Sequence, residues 1–247
     1  MYFFFSGEGK TDTGTYDDQS GPLSVVADHI IAKHHHYSFL ESERAVFIHR
    51  AELEQIKDSV EFKPQSRRAI RLPSQNVKPE TRYHYDNARA FSLATKSAIE
   101  RKEENDREFV AVLFRDSDSP DKEEWKNKRD SMLRGFHVGG IEKQGVAAVA
   151  RPVSEAWWLS AIYRKENQAK DCRYLEKTSH GGGADHKLKI DLEKELGTTP
   201  TREVLNDMVR SRDIDYKLID SESFLAFRRD FEVAVGLEHT HHTKTAP

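Results

Sequence analysis

The chain has 247 residues, of which 36% are hydrophobic and 33% are charged, and its formal net charge is −3 at pH 7. This length predicts one large domain, or one domain with an insertion. The small net charge excludes a global basic field, so any contact with nucleic acid has to come from a local patch. A single cysteine, Cys172, excludes an internal disulfide framework. With no apolar run long enough for a membrane span, these features predict a cytoplasmic protein.

The first predicted strand is the aromatic run from Met1 to Phe5, which leads into a glycine-flanked turn. The residues Gly9 to Thr11 resemble part of a phosphate-binding P-loop, but that motif needs a glycine where this chain has Phe4. The turn therefore offers one acidic residue, Glu8, at the carboxyl end of a first strand.

Helical spacing of apolar residues predicts a first helix from Leu23 to His36, and a second strand follows from Arg44 to His49. A short helix is predicted from Glu52 to Val60. The stretch from Lys63 to Arg82 is rich in basic residues and in proline, which breaks regular structure. It is interpreted as a basic loop that either contacts phosphates or is ordinary solvated surface. A long helix is predicted from Arg82 to Asn105.

The central feature of the sequence is the apolar run from Phe109 to Phe114, which ends in Arg115 and then in Asp116 and Asp118. Such a run, bounded by turn residues, is typical of a strand buried on both faces of a parallel sheet. Ligands bind outside the carboxyl ends of such strands, and Mg²⁺ is held there by carboxylates together with substrate phosphates. The alternative is an acidic turn without metal, because Asp and Ser favour turns for their own hydrogen-bonding reasons.

A charged helix is predicted from Asp121 to Arg134, followed by a buried strand from Gly145 to Arg151. Ser154 is a plausible N-cap of the next helix and places Glu155 in its first turn. Glu155 is therefore either a metal ligand at a strand end or a partner of the helix dipole.

Three helices are predicted in the C-terminal part of the chain. The first follows Asp185 to Lys187 and runs to Leu196, and the second is capped by Thr199 to Thr201. The last runs from Phe224 to Leu237. Its predicted buried face consists of Phe224, Phe227, Phe231 and Val235.

The order of these acidic strand ends resembles a known family. A first strand ending in a glycine-flanked Glu8, followed later by a buried strand ending in Asp116 and Asp118, resembles the TOPRIM domain of topoisomerases, primases and OLD-type nucleases. The segment from Pro152 to Trp158, followed by a helical tail, is similar to small stand-alone TOPRIM-like bacterial proteins. Several of these resemble anti-phage defence components found beside ATPases. The resemblance covers mainly Met1 to Ile162.

The resemblance implies an α/β fold, with a largely parallel central sheet flanked by helices. It implies one TOPRIM-like domain over residues 1–237, with its core in 1–162, a basic insertion at 61–82 and a helical C-terminal extension at 185–237. Residues 238–247 are predicted to be a flexible tail. The basic insertion is a departure, because a minimal TOPRIM domain carries a much shorter connection.

The resemblance also implies a set of carboxylate ligands for Mg²⁺ or Mn²⁺: Glu8, Asp116, Asp118 and Glu155. Asp116 and Asp118 would be metal ligands, Glu8 a ligand or general acid/base, and Glu155 would complete a second metal site. Lys187 or Arg115 would stabilise charge in the transition state.

The function implied is that of a metal-dependent nuclease, a hydrolase of phosphodiester bonds, in prokaryotic antiviral defence. The substrate could be either DNA or RNA. The resemblance also allows an ABC-type or AAA-type ATPase as a partner, and it allows a homo-oligomer. One alternative is another metal-dependent phosphoryl or sugar-nucleotide enzyme, although a phosphatase would usually carry Asp-x-Asp where this chain has Glu8. Another alternative is a non-catalytic partner subunit of a defence ATPase.

Overall fold

The computed structural model describes residues 1–7, 14–15, 19–59, 79–102, 107–178 and 184–237. The strands within these ranges are β1 (Tyr2–Ser6), β2 (Gly14–Thr15), β3 (Gln19–Ser20), β4 (Ala45–Phe47), β5 (Phe109–Asp116) and β6 (Gly145–Ala150). The helices are α1 (Pro22–His35), α2 (Arg50–Asp58), α3 (Pro79–Glu100), α4 (Lys122–Val138), α5 (Glu155–Glu166), α6 (Ala184–Leu196), α7 (Arg202–Arg210) and α8 (Glu222–Ala234). Glu8, most of the basic stretch and the tail lie outside the described residues, so their predictions stay predictions.

Four strands form one parallel sheet in the order β4-β1-β5-β6. Phe4 of β1 is level with Ala111 of β5, which in turn is level with Gly145 of β6. The expected parallel sheet is therefore confirmed, with the strands β1, β5 and β6 as direct neighbours. The short strands β2 and β3 pair separately in antiparallel fashion.

Strand β5 is buried on both of its faces, which explains why its apolar run is continuous rather than alternating. Val110, Val112 and Phe114 belong to the hydrophobic core on one side of the sheet. Ala111 and Leu113 belong to the core on the other side. Successive side chains of a strand point to opposite faces, so a strand between two helical layers needs apolar residues at every position.

Helices cover both faces of the sheet. Buried residues of α1, α5, α6, α7 and α8 join the core on the Val112 face, and those of α2, α3 and α4 join the core on the Leu113 face. The predicted α/β fold, with a parallel sheet flanked by helices, is confirmed.

Helix α8 contributes an aromatic face to the core. The four predicted residues, Phe224, Phe227, Phe231 and Val235, are all buried. The ring of Trp157 in α5 stacks on Phe227 at 6.1 Å and meets Phe224 edge-on at 5.2 Å between ring centroids. The C-terminal helix is therefore part of the main core and closes one face of the sheet.

Helix α4 extends past its predicted end at Arg134, and Gly135 in the added turn is a contact point with α3. A Cβ atom at Gly135 would lie 2.5 Å from the carbonyl oxygen of Tyr85 and 2.7 Å from the Cβ of Ala88. Real side chains do not approach a backbone this closely, so the two helices can meet here only because residue 135 lacks a side chain. The glycine, which a sequence pattern marks as a poor helix former, is here a packing residue.

We expect Gly135→Ala to lower the free energy of unfolding by about 1–2 kcal/mol, because overpacking outweighs the gain in helix propensity. The midpoint of urea unfolding measures the change. Arg134→Ala is the matched control, since Arg134 is exposed on the same helix, and it should leave the midpoint nearly unchanged. A more stable Gly135→Ala variant would show that α3 and α4 can separate without cost.

Candidate functional site

The carboxyl ends of the central strands lie at one edge of the sheet, here called the carboxyl edge. Asp116, the last residue of β5, is level with Ala150, the last residue of β6. Ser6, the last residue of β1, is level with Leu113 of β5. Ligand sites of open α/β sheets lie outside such an edge. Glu8 follows two residues after Ser6 in the sequence and lies outside the described residues.

The residues from Asp116 to Ser119, here called the acidic turn, are held by hydrogen bonds to the end of β6. The Ser117 backbone N–H donates to the Ala150 carbonyl at 2.9 Å, and the Asp118 N–H donates to the Pro152 carbonyl at 3.0 Å. Asp118 is exposed and has a left-handed φ of 52°. Asp is one of the few residue types that adopt this conformation at modest cost. The acidic turn thus has a fixed backbone that presents Asp118 to solvent.

Asp116 joins the acidic turn to the helix that starts beside β6. Its Oδ1 accepts a hydrogen bond of 3.0 Å from the backbone N–H of Ser154, the residue before α5. Ser154 is the N-cap residue of α5, as predicted, but its side chain makes no capping hydrogen bond. The Asp116 carboxylate instead binds the N–H of the N-cap residue itself, and Glu155 comes next as the first residue of α5. Asp116 and Glu155 therefore lie at the same corner of the carboxyl edge.

A buried lysine lies beneath the acidic turn. Lys128 of α4 is 6% exposed, and its Nζ donates a hydrogen bond to the Ser117 carbonyl. The same Nζ lies 3.2 Å from Glu124 Oε1. Sequence reasoning missed Lys128. Its spacing of three residues from Trp125 and four from Met132 places it on the apolar face of α4, and this was the available signal.

The two residues predicted to stabilise transition-state charge lie in different environments. Arg115 is completely buried, and its Nη1 donates to the Phe114 carbonyl at 2.7 Å. Lys187 is exposed on α6, a helix that packs against α5. Their catalytic roles stay predictions.

The candidate metal ligands among the described residues are all carboxylates. Carboxylate oxygens are the ligand atoms that Mg²⁺ and Mn²⁺ prefer. The side chains of Asp116, Asp118 and Glu155 are therefore of the right chemical type to bind a hard divalent cation. Within the described part of the chain, no three His, Cys, Asp or Glu side chains lie close enough together to hold a metal ion. The predicted set includes Glu8, which is not described. Cys172 is fully buried in the core, where burial raises the pKa of its thiol, and this suits packing rather than metal binding.

A groove of about 920 Å³ lies between α4 and α8, next to the carboxyl edge. Its charged lining consists of the cations Lys126, Arg129, Arg173 and Arg229 and the carboxylates Asp130, Asp220 and Glu222. Burial raises the pKa of Glu222, but the hydrogen bond and charge of Lys122 outweigh burial and hold this pKa below its usual value. The groove is therefore nearly balanced in charge, and its cations could pair with phosphates only in competition with their own carboxylates.

The end of β6 is fixed by a buried ion pair that sequence reasoning also missed. Arg151 is 4% exposed and Glu176 is 1% exposed, and Arg151 Nη2 donates to Glu176 Oε2 at 2.8 Å. Glu176 also accepts the backbone N–H groups of Glu222 at 3.0 Å and Ser223 at 2.9 Å. The first turn of α8 is thus attached to the strand that borders the candidate site.

Comparison with family models, with curated proteins and with solved structures found no match. Across the part of the chain that the structure describes, no helix is both long and apolar enough to cross a membrane.

Proposed function

We propose that the chain is a divalent-metal-dependent nuclease of the TOPRIM type, which hydrolyses phosphodiester bonds in DNA or RNA. The observation that carries the proposal is the 3.0 Å hydrogen bond between the Ser154 backbone N–H and Asp116 Oδ1. It brings the acidic end of β5 to the helix start that carries Glu155. Acidic residues from adjacent parallel strands at one carboxyl edge are the arrangement that a metal-dependent phosphoryl site requires.

In this proposal, Asp116 and Asp118 hold Mg²⁺ or Mn²⁺, Glu155 is a ligand of a second site, and Glu8 is a ligand or the general acid/base. When bound, the metal would neutralise the phosphate and lower the pKa of a coordinated water. The chain's own contribution is a rigid acidic turn, whose hydrogen bonds set the two aspartates before a ligand arrives. Preorganised charge of this kind avoids reorganisation during the reaction.

The nucleic-acid substrate would approach the carboxyl edge from solvent, where Asp118 is exposed. The neighbouring groove offers Lys126, Arg129, Arg173 and Arg229 as partners for the phosphates that flank the cleaved bond, in competition with the carboxylates that already pair with them. A role in antiviral defence and an ATPase partner rest on the family resemblance alone.

A cleavage assay tests this function. The purified chain is incubated with labelled single-stranded DNA, double-stranded DNA and single-stranded RNA, in Mn²⁺, in Mg²⁺ or in chelator. We expect metal-dependent cleavage of at least one substrate, and we expect Asp118→Asn to abolish it. Asp121→Asn is the matched control. Asp121 caps α4 by accepting the Glu124 N–H at 2.7 Å, and Asn caps helices equally well.

Two results would contradict the proposal. Cleavage that persists in chelator or in the Asp118→Asn variant would show that the metal or the Asp118 carboxylate is not needed for the reaction. Metal-dependent turnover of a phosphate monoester or a sugar nucleotide, without cleavage of any nucleic acid, would instead favour the alternative phosphoryl or sugar-nucleotide enzyme.

A further inference from the structure

The buried ammonium of Lys128 needs a physical reason. A charged group taken out of water is costly unless the protein supplies hydrogen bonds and an opposite charge. Lys128 has one of each: the Ser117 carbonyl accepts from its Nζ, and Glu124 Oε1 lies 3.2 Å away. Of these two partners, the carbonyl belongs to the residue between Asp116 and Asp118.

Ser117 is the fixed point of the acidic turn. Its side chain is fully buried, and its Oγ donates to the Ser119 carbonyl at 2.8 Å. Its backbone N–H donates to Ala150, and its carbonyl accepts from Lys128. Every polar group of Ser117 is thus engaged, and Lys128 supplies a charged contact. That carbonyl and the Asp118 N–H, which donates to Pro152, belong to one peptide unit, so Lys128 and Pro152 hold from both sides the unit that leads into Asp118 with its left-handed φ of 52°.

We propose that Lys128 is the positioning residue of the acidic turn: by holding the Ser117 carbonyl from beneath, it fixes the relative placement of the Asp116 and Asp118 carboxylates. Lys128 is too buried to meet a substrate, so it acts through the turn. The consequence for metal binding rests on the proposed function, whereas the effect on the turn itself does not.

The direction in which metal affinity changes when Lys128 is neutralised separates a positioning role from a purely electrostatic one. A positive charge beside the acidic turn repels a cation, so its removal alone would tighten metal binding. Loss of a fixed geometry would do the opposite, because a flexible pair of carboxylates must be ordered when the metal binds. If Lys128 is a positioning residue, its neutral variant binds metal more weakly even though a repulsive charge has been removed.

The experiment compares wild type with Lys128→Met and uses two readouts. The first is hydrogen exchange of the Ser117 and Asp118 amides in metal-free protein, which we expect to become at least about tenfold faster as the turn opens. The Val112 amide, in the middle of β5, should keep its wild-type rate and so report that the sheet is intact. The second is the Mn²⁺ dissociation constant, which we expect to rise about tenfold, as for other outer contacts of metal ligands.

Arg134→Met is the matched control, because it removes a positive charge from an exposed position on the same helix and leaves the Ser117 contact in place. It should change neither readout appreciably. Should Lys128→Met fail to fold, Lys128→Gln provides a neutral side chain with a remaining donor, and the same changes are expected in weaker form.

Unchanged exchange at Ser117 and Asp118, or tighter Mn²⁺ binding, would overturn the positioning role. A wild-type protein that binds no Mn²⁺ would overturn the proposed function alone. The exchange rates of the metal-free protein would still decide whether Lys128 holds the turn.

Discussion

Glu176→Ala is expected to lower the free energy of unfolding by about 3–5 kcal/mol, because it removes the buried carboxylate of the Arg151 guanidinium and leaves only the part-exposed Glu222, at 3.5 Å from the same Nη2. Glu176 is 1% exposed, and Arg151 is 4% exposed. The substitution also removes the acceptor of two backbone N–H groups at the start of α8, those of Glu222 and Ser223. Buried donors that lose their acceptor add to the cost.

A thermal melt measures this loss. For a chain of this size a change of 1 kcal/mol shifts the midpoint by about 2–4 °C, so a fall of roughly 6–20 °C is expected. Asp171→Ala is the control: the Asp171 and Arg173 ion pair is fully exposed, and removing it should leave the midpoint nearly unchanged. Replacing both buried partners by apolar residues, Arg151→Met with Glu176→Leu, should be less harmful than Glu176→Ala alone. A midpoint within 1 °C of wild type for Glu176→Ala would mean that the aromatic face alone holds α8.

Asp118→Asn is expected to remove most of the stabilisation that a divalent metal gives to the native protein. At a free concentration of 100 times the dissociation constant, a ligand that binds only the native state contributes about 2.7 kcal/mol. In wild type this corresponds to an increase in the melting midpoint of roughly 5–10 °C. In Asp118→Asn the increase should nearly vanish, because one of the proposed ligands has lost its charge.

The same substitution distinguishes a metal site from an ordinary acidic turn. Asn accepts the left-handed backbone that Asp118 adopts, so the fold should be retained. In chelator the variant should be at least as stable as wild type, because one of several neighbouring negative charges is gone. An acidic turn without metal predicts the reverse: a less stable variant, and a wild-type midpoint that does not respond to Mn²⁺ at millimolar concentration.

The features predicted from the sequence are those with a local and periodic signature. The run from Phe109 to Phe114 has no polar position, and a strand of that kind has to lie between two helical layers. The aromatic face of α8 repeats at helical spacing, and Thr201 caps α7 through the Val204 N–H as its position predicted. The strand order β4-β1-β5-β6 could be predicted from the sequence only in part. The hydrophobic pattern shows which apolar runs are strands of the sheet, but it does not show on which side of β1 the short strand β4 pairs.

The features that were missed depend on contacts between residues far apart in the chain. Arg151 and Glu176 are 25 residues apart, and Glu176 reaches Ser223 across 47. From the neighbouring sequence alone, Arg151 and Glu176 resemble ordinary surface charges, because nothing near either residue in the chain indicates a distant partner. Ser154 shows the same effect at the candidate site. Its position at the helix start was predicted, but the hydrogen bond from its backbone N–H to the carboxylate of Asp116, 38 residues earlier, was not.

The attachment of α8 to the end of β6 bears on the order in which the chain assembles during synthesis. All four strands of the parallel sheet leave the ribosome before Glu176, and Glu176 leaves before the helix whose first turn it binds. Until α8 emerges, the Val112 face of the sheet lacks its aromatic cover, and an unfinished chain exposes that apolar surface. Burial of that surface therefore waits for α8, whereas the hydrogen bonds of the acidic turn to Ala150, Pro152 and Lys128 join residues that have already left the ribosome.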